Sequence, residues 1–182
     1  IAAQLSPGDL VIGYSLGARV ALGLVARGDV ARAVLISVNP GIDDADRPAR
    51  RAGDAAWAQL LRGRGTEAFL AAWQAQPLFA SQARAPAARR AARHATRAGL
   101  DAEALARSLE TMGLAEMPDY RGAVDDRLAL IAGADDDKFV GLARATHRPV
   151  TLIEACGHDP TLEQPAALRR ALDRIVQAMV AR

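Results

Sequence analysis

Short runs of apolar residues alternate along most of this chain with longer stretches of helical spacing. Mostly apolar runs occupy residues 10–12, 31–38, 127–132 and 149–153. Runs of this length predict buried strands of a parallel sheet. Helical spacing follows at 18–26 and again at 165–181, where the predicted apolar face comprises Leu168, Leu172, Ile175, Val176 and Met179. The pattern predicts an α/β protein with a mostly parallel sheet.

Residues 43–122 interrupt this alternation. They contain no clear strand run, and helical spacing recurs there in the segments 49–62, 66–74, 87–98 and 101–112. Because this insertion separates two core strands, it predicts a helical cap over the mouth of an active site. The predicted organisation is a core at 1–42, the cap at 43–122 and a second part of the core at 123–182.

The turn after the first strand carries the pattern G-x-S-x-G, formed by Gly13, Ser15 and Gly17. A strand before this pattern and a helix after it are the context of a nucleophile elbow, in which the serine lies at the tip of a sharp turn. We expect the glycines to let the strand and helix backbones approach closely. The backbone N–H of Leu16, at the helix N-terminus, then faces the position of an oxyanion. The alternative is a plain strand–helix turn with an exposed serine.

Partners for this serine follow two later strands. Asp136 lies in the loop after 127–132, and His158 lies in the loop after 149–153. A serine nucleophile needs an imidazole to take its proton and a buried carboxylate to hold that imidazole in one tautomer. The order serine, acid, histidine, each after its own strand, is that of the α/β-hydrolase fold. Ser15, Asp136 and His158 are therefore the predicted catalytic triad.

Each partner also has an ordinary alternative. Asp136 is flanked by Asp135 and Asp137, so a solvated acidic turn is the alternative for it. A surface loop residue is the alternative for His158. The other two histidines, His94 and His147, do not follow a buried strand, and they are poor candidates for catalysis.

Composition narrows the class of protein. The 182 residues suffice for one domain with a real core, and 51% of them are apolar. The net charge is +2, and no basic stripe carries the interleaved aromatics of a nucleic-acid interface. The single cysteine, Cys156, excludes an internal disulfide and a multi-cysteine metal site. No apolar run has the length of a membrane span, and the first residues show no charged region followed by a cleavage site, so we expect a soluble cytoplasmic protein.

The chain opens at Ile1 and reaches the strand before the elbow almost at once. An α/β-hydrolase core has several strand–helix units before that point, or roughly 60 to 90 residues. The loop that supplies a second oxyanion donor belongs to those units. We therefore expect the N-terminal strands of the fold to be absent from this chain, and we expect no independent activity from it.

Longer stretches of the chain are more distinctive than the elbow. They are 13–19 (GYSLGAR), 37–41 (SVNPG), Arg50 with 54–58 (DAAWA), 73–80 (WQAQPLFA), 133–139 (GADDDKF) and 157–158 (GH). On these stretches the chain resembles the 2-succinyl-6-hydroxy-2,4-cyclohexadiene-1-carboxylate synthases of menaquinone biosynthesis, a family with the α/β-hydrolase fold. The resemblance covers essentially the whole chain, but only the part of the family's sequence from the elbow onward. That family usually has a second glycine after the elbow glycine, where this chain has Ala18.

The resemblance implies an elimination instead of a hydrolysis. The family removes a proton from a succinyl-bearing cyclohexene ring and expels pyruvate, which requires no acyl-enzyme, no metal and no organic cofactor. Ser15 would act as, or through, the general base, with its basicity raised by His158 and Asp136. The Leu16 N–H and a second donor would hold the negative charge that develops on the substrate.

The implied substrate is a small polycarboxylate, and guanidinium groups bind carboxylates in bidentate fashion. Arg19 lies one helical turn after the elbow serine, Arg50 opens the first cap helix, and Arg93 resembles the family's cap arginine. For each arginine the alternative is ordinary surface charge. Tyr14 and Trp73 are the candidate aromatic walls of the substrate site, with core packing as their alternative.

Two other functions stay open on the sequence. A carboxylesterase or thioesterase of the same fold would use the triad, and a neutral ester would need no cap arginines. A non-catalytic fragment or binding module is the second alternative, because of the N-terminal strands that we expect to be absent. The oligomeric state is open as well.

Overall fold

Four strands form one parallel sheet in the computed structural model, which describes residues 4–181. The strands are β1 Leu10–Tyr14, β2 Arg32–Ile36, β3 Leu128–Gly133 and β4 Val150–Ile153, and they are hydrogen-bonded in that spatial order. Each predicted strand run overlaps one of these strands, and its ends agree within two residues. The expectation of absent N-terminal strands rests on the start of the chain at Ile1, which lies outside the described residues.

Helices pack against both faces of this sheet, which explains why the strands are mostly apolar, although Ile12 of β1 is 47% exposed. They are α1 Leu16–Arg27, α5 Asp137–Ala145, α6 Pro160–Glu163 and α7 Pro165–Val180. Side chains alternate along β2, so Leu35 packs with α1 on one face, while Val34 and Ile36 pack with α7 on the other. The carboxyl ends of all four parallel strands therefore lie at one edge of the sheet.

Residues Gly41–Asp119 form a second compact unit of their own. Its helices are α2 Arg47–Gln74, α3 Ala87–Ala98 and α4 Ala102–Met112, with 3-10 turns at Asp44–Asp46 and Pro77–Arg84. Its core joins α2 and α4 through the buried side chains of Leu61, Phe69 and Ala106. The predicted role of residues 43–122 as a cap stays a prediction.

The helices predicted at 49–62 and 66–74 are one helical element, α2, with a break inside it. Gly65 has φ 76° and ψ 179° there, which only glycine adopts readily. The helical spacing is thus right on each side, and the break falls in the gap between the two predicted segments. Within residues 4–181, no helix has both the length and the apolar character of a membrane span.

Candidate active site

Ser15 lies between the end of β1 and the start of α1, in a strained backbone conformation. Its φ is 51° and its ψ is −111°, a region that residues other than glycine rarely occupy. Its N–H donates a hydrogen bond to the carbonyl oxygen of Ile36 at the end of β2, at 2.9 Å. The sharp turn leaves Ser15 at the carboxyl edge of the sheet, as the G-x-S-x-G pattern predicts.

The two glycines of this turn have different roles. A Cβ on Gly13 would overlap the Gly17 carbonyl group, so the close approach of β1 and α1 requires glycine at position 13. A Cβ on Gly17 would meet no atom within 4 Å. The expectation that both glycines are needed for the approach is therefore wrong for Gly17, which contributes its backbone and not its lack of a side chain.

The structure brings Ser15, Asp136 and His158 together in the order of a triad. Ser15 Oγ lies 3.2 Å from His158 Nε2, and His158 Nδ1 lies 2.9 Å from Asp136 Oδ2. His158 is 2% exposed and Asp136 is 6% exposed, so the pair is shielded from water. This arrangement lets the imidazole accept a proton from the serine while the carboxylate fixes its tautomer.

Asp136 differs from its acidic neighbours because it caps a helix. Asp135 and Asp137 are exposed, whereas Asp136 is buried. Its Oδ1 accepts a hydrogen bond from the Phe139 N–H at 3.2 Å, in the first turn of α5. The positive end of the α5 dipole therefore faces this carboxylate and stabilises its negative charge. One oxygen is committed to the helix and the other to His158.

The acid loop and the histidine loop are held against each other through their backbones. A Cβ on Gly133 would overlap the carbonyl groups of Cys156 and Gly157, so the loops approach more closely there than any other residue would permit. The Asp135 N–H donates to the Cys156 carbonyl oxygen at 2.8 Å. This contact fixes the spacing between the two strand ends that carry the acid and the histidine.

Aromatic rings border the imidazole. The Phe139 ring centroid lies 4.3 Å from that of His158, and the Tyr14 centroid lies 5.6 Å from it. Tyr14 is the last residue of β1 and also packs against the core on the α7 side. Phe139 was not among the predicted site residues. The sequence signal that could have identified it is its position three residues after Asp136, in the first turn of the helix that Asp136 caps.

The N-terminus of α1 carries two further predicted residues. Leu16 is its first residue, and the first N–H groups of a helix have no partner within the helix. Arg19 is half-buried, and its backbone N–H donates to the Ser15 carbonyl oxygen at 3.2 Å. Both residues therefore lie within one helical turn of Ser15.

Arg50, Trp73 and Arg93 belong to the unit Gly41–Asp119. Arg50 Nε lies 2.8 Å from Asp54 Oδ2, and the Asp54 residue is only 4% exposed. Arg93 is half-buried on α3. Their roles in substrate binding stay predictions.

Trp73 packs inside an aromatic cluster of that unit. Its ring centroid lies 5.2 Å from Trp57, 5.3 Å from Phe69 and 6.0 Å from Phe79. Trp73 therefore makes the packing contacts that its core-packing alternative predicts. Of the remaining histidines, His94 contacts Glu67 at 3.1 Å, and His147 is exposed after α5.

Comparisons with known proteins agree with this geometry. Residues 1–171 match the alpha/beta hydrolase family. A 2-succinyl-6-hydroxy-2,4-cyclohexadiene-1-carboxylate synthase of Klebsiella pneumoniae subsp. pneumoniae is 34% identical in an alignment that covers 91% of this chain and 67% of that protein. The chain belongs to this synthase family of α/β hydrolases. The synthase of Citrobacter koseri is 33% identical over 92% of this chain and 68% of its own length.

Solved structures with the same fold include MenH, a member of the synthase family. MenH from S. aureus matches 96% of this chain and 68% of its own, with a TM-score of 0.85 and 28% identity. A thermophilic esterase from Thermogutta terrifontis matches with a TM-score of 0.70 at 19% identity, which shows the fold alone. The α/β-hydrolase fold predicted from the elbow and the strand order is confirmed.

Proposed function

We propose that this protein eliminates pyruvate from a polycarboxylated cyclohexene and forms 2-succinyl-6-hydroxy-2,4-cyclohexadiene-1-carboxylate, in menaquinone biosynthesis. The observation that carries the proposal is membership of the synthase family, at 34% identity over 91% of the chain. The hydrogen-bonded series from Ser15 through His158 to Asp136 supports it, because it supplies a base at the end of the sheet.

Proton abstraction would begin at Ser15 Oγ. As the serine oxygen takes the proton from the substrate ring, its own proton passes to His158 Nε2, 3.2 Å away. Asp136 stabilises the resulting imidazolium through Nδ1. The electron pair released from the ring C–H bond moves into the conjugated system, and the bond to the leaving group breaks to release pyruvate. No bond forms between Ser15 and the substrate.

Developing negative charge needs donors near the serine. The Leu16 N–H lies at the positive end of α1 and supplies one such donor. Arg19, within one turn of Ser15, supplies a cation for a substrate carboxylate. Arg50 and Arg93 are proposed to bind the other carboxylates, and Tyr14 and Trp73 are proposed to line the apolar part of the site.

The carboxylesterase or thioesterase alternative uses the same three side chains. Esterases share the fold with this chain at 18–19% identity, which carries no argument about substrate. The synthase relatives match at 32–34% identity, so the comparisons favour the elimination. A non-catalytic module would have no need of a buried Asp136–His158 pair aligned on a strained serine.

Coupled product formation tests the elimination. The complete gene product is incubated with the cyclohexene precursor, while ring diene absorbance and pyruvate are both followed. Elimination predicts one diene formed for each pyruvate released, and Ser15→Ala should lose both signals together. Pyruvate without diene would indicate hydrolysis of the side chain instead, and it would overturn the proposal.

A further inference from the structure

Two buried side chains outside the triad hold the loop that carries His158. Ser37, directly after β2, is 1% exposed, and its Oγ donates a hydrogen bond to the His158 carbonyl oxygen at 3.0 Å. Glu163, the last residue of α6, is 8% exposed. Its carboxylate accepts the Gly157 N–H at 2.8 Å and the Asp159 N–H at 3.2 Å. The backbone before and after the histidine, and its own carbonyl, each have a fixed partner.

The short helix α6 returns Glu163 to this loop. Asp159 is fully buried, and its Oδ1 accepts the Leu162 N–H at 3.1 Å, which caps the helix. The Glu163 N–H donates to the Asp159 carbonyl oxygen at 2.9 Å. Pro160 occupies the first turn, where its fixed φ suits a helix. The Glu163 backbone is therefore anchored to the same residue whose N–H its carboxylate binds.

Ser37 is held just as firmly on the other side. Its φ is 51°, a value that serine rarely adopts and that persists only where surrounding structure imposes it. Its N–H donates to the Ile131 carbonyl oxygen of β3 at 2.8 Å. Ser37 thus connects the ends of β2 and β3 to the backbone of His158.

We propose that Ser37 and Glu163 are positioning residues that set the His158 imidazole between Ser15 and Asp136. The inference rests on the proposed function, in which His158 takes the serine proton. The Ser15 Oγ to His158 Nε2 distance of 3.2 Å is at the long end for a hydrogen bond. A shift of the loop by a few tenths of an ångström would therefore weaken proton transfer while leaving the substrate-binding groups in place.

Glu163→Gln and Ser37→Ala test this role. The glutamine keeps the size of the side chain but presents one acceptor oxygen, so one of the two backbone N–H groups loses its partner. We expect kcat for pyruvate release to fall about 10- to 100-fold in each variant, with KM changed less than about threefold. The downfield proton resonance of His158 Nδ1–H, in its hydrogen bond to Asp136, should weaken or shift.

Matched variants separate positioning from general stability. Thr146→Ala removes the half-buried hydrogen bond that the Thr146 hydroxyl donates to the Ala143 carbonyl oxygen. This bond lies at the end of α5, away from the triad. It should lower the thermal midpoint but leave kcat and the His158 resonance unchanged. Ser37→Gly relieves the positive φ yet also lacks the hydroxyl, so its kcat should fall as far as that of Ser37→Ala. A kcat restored in Ser37→Gly would assign the effect to backbone strain and overturn the role of the hydroxyl.

The resonance requires no substrate, which keeps the two proposals apart. If the unmodified protein releases no pyruvate, the proposed function fails and the resonance alone decides the positioning role. If Glu163→Gln does not fold, Ser37→Ala carries the test. Folded variants that keep both kcat within about twofold and an unchanged resonance would overturn the inference.

Discussion

At the scale of single residues, the backbone of Ser15 and the side chain of His158 depend on each other. The strained φ of Ser15 presents its hydroxyl to an imidazole that is itself held by buried Asp136. Residues that act as one unit give non-additive losses when they are replaced. We therefore expect Ser15→Ala and His158→Ala each to remove most of the pyruvate release, and the double variant to be little worse than either. Fully additive losses in kcat would show that the two residues act separately.

Arg19 and Arg50 are both predicted to bind carboxylates, but their surroundings differ. If they do so, replacing either by alanine should cost about 2 to 4 kcal/mol in kcat/KM, or roughly 30- to 800-fold. Lysine should restore only part of this, because an ammonium group cannot reproduce the bidentate geometry. Turnover of a small neutral ester should barely change.

Arg50 needs its own control, because it also neutralises buried Asp54 at 2.8 Å. Arg50→Ala should lower the free energy of unfolding by about 1 to 2 kcal/mol, since the carboxylate loses its partner. Asp54→Asn breaks the same ion pair and keeps the arginine. If both variants lose kcat/KM equally, Arg50 acts through the fold of its own unit and does not bind the substrate.

The meeting of Ser15, Asp136 and His158 could be predicted from sequence, whereas the contacts of Ser37 and Glu163 could not. Ser15, Asp136 and His158 each follow a strand run at a position that parallel topology brings to one edge. Ser37 reaches the histidine loop from a strand far away in sequence through one hydrogen bond, and Glu163 binds two backbone N–H groups of that loop from the end of α6. Neither periodicity nor spacing encodes such contacts, which arise only in the folded structure.

At the scale of secondary structure elements, the close approach of β1 and α1 depends on the absence of a Cβ at Gly13. Gly13→Ala would place a Cβ on the Gly17 carbonyl, so we expect a loss of about 2 to 4 kcal/mol in unfolding free energy. Gly17→Ala meets open space inside a helix, so it should be neutral or stabilising by up to about 1 kcal/mol. Chemical denaturation of both variants checks the contrast. Equal losses at the two positions would contradict this account of the elbow.

The helices α2 and α4 are joined by an ion-pair network at Arg62. Its hydrogen bonds to Glu103 and Glu110 hold the pKa of each carboxyl below the usual glutamate value. Groups with a lowered folded-state pKa stabilise the fold above their unfolded pKa, near 4.3 for glutamate, and this contribution disappears as pH falls through the lowered value.

Arg62→Ala should therefore lower the thermal midpoint slightly near neutral pH. The difference from the unmodified protein should shrink as pH falls below about 4, and it should shrink in high salt as well. Thermal unfolding across this pH range provides the measurement. A difference that stays constant with pH would mean that Arg62 acts through packing of its aliphatic stem.

The strands could be predicted because a run of apolar residues marks each strand that is buried in the sheet. The apolar runs identified every strand of the described residues, because helices pack against both faces of the sheet. The helix α5 was not predicted as such, since it is short and begins within the acidic loop. The join of two predicted helices at Gly65 depends on a backbone conformation that composition alone does not give.

At the scale of the whole molecule, the chain combines a parallel α/β unit with a helical unit at Gly41–Asp119. The α/β unit alone contains Ser15, Asp136 and His158. The chain spans 67–68% of the length of the synthases and of MenH to which it is similar. Family membership could be anticipated from the stretches at 73–80 and 133–139, because they are more specific than the elbow that many hydrolases share.

Substrate preference tests the central claim most directly. The complete gene product is assayed under one set of conditions for pyruvate release from the menaquinone-pathway precursor and for cleavage of nitrophenyl esters, with Ser15→Ala as the control for both. The account predicts a kcat/KM for pyruvate release far above that for any ester, and loss of the pyruvate signal in Ser15→Ala. Rapid ester turnover that depends on Ser15, with no detectable pyruvate, would contradict it and assign the site to a hydrolase.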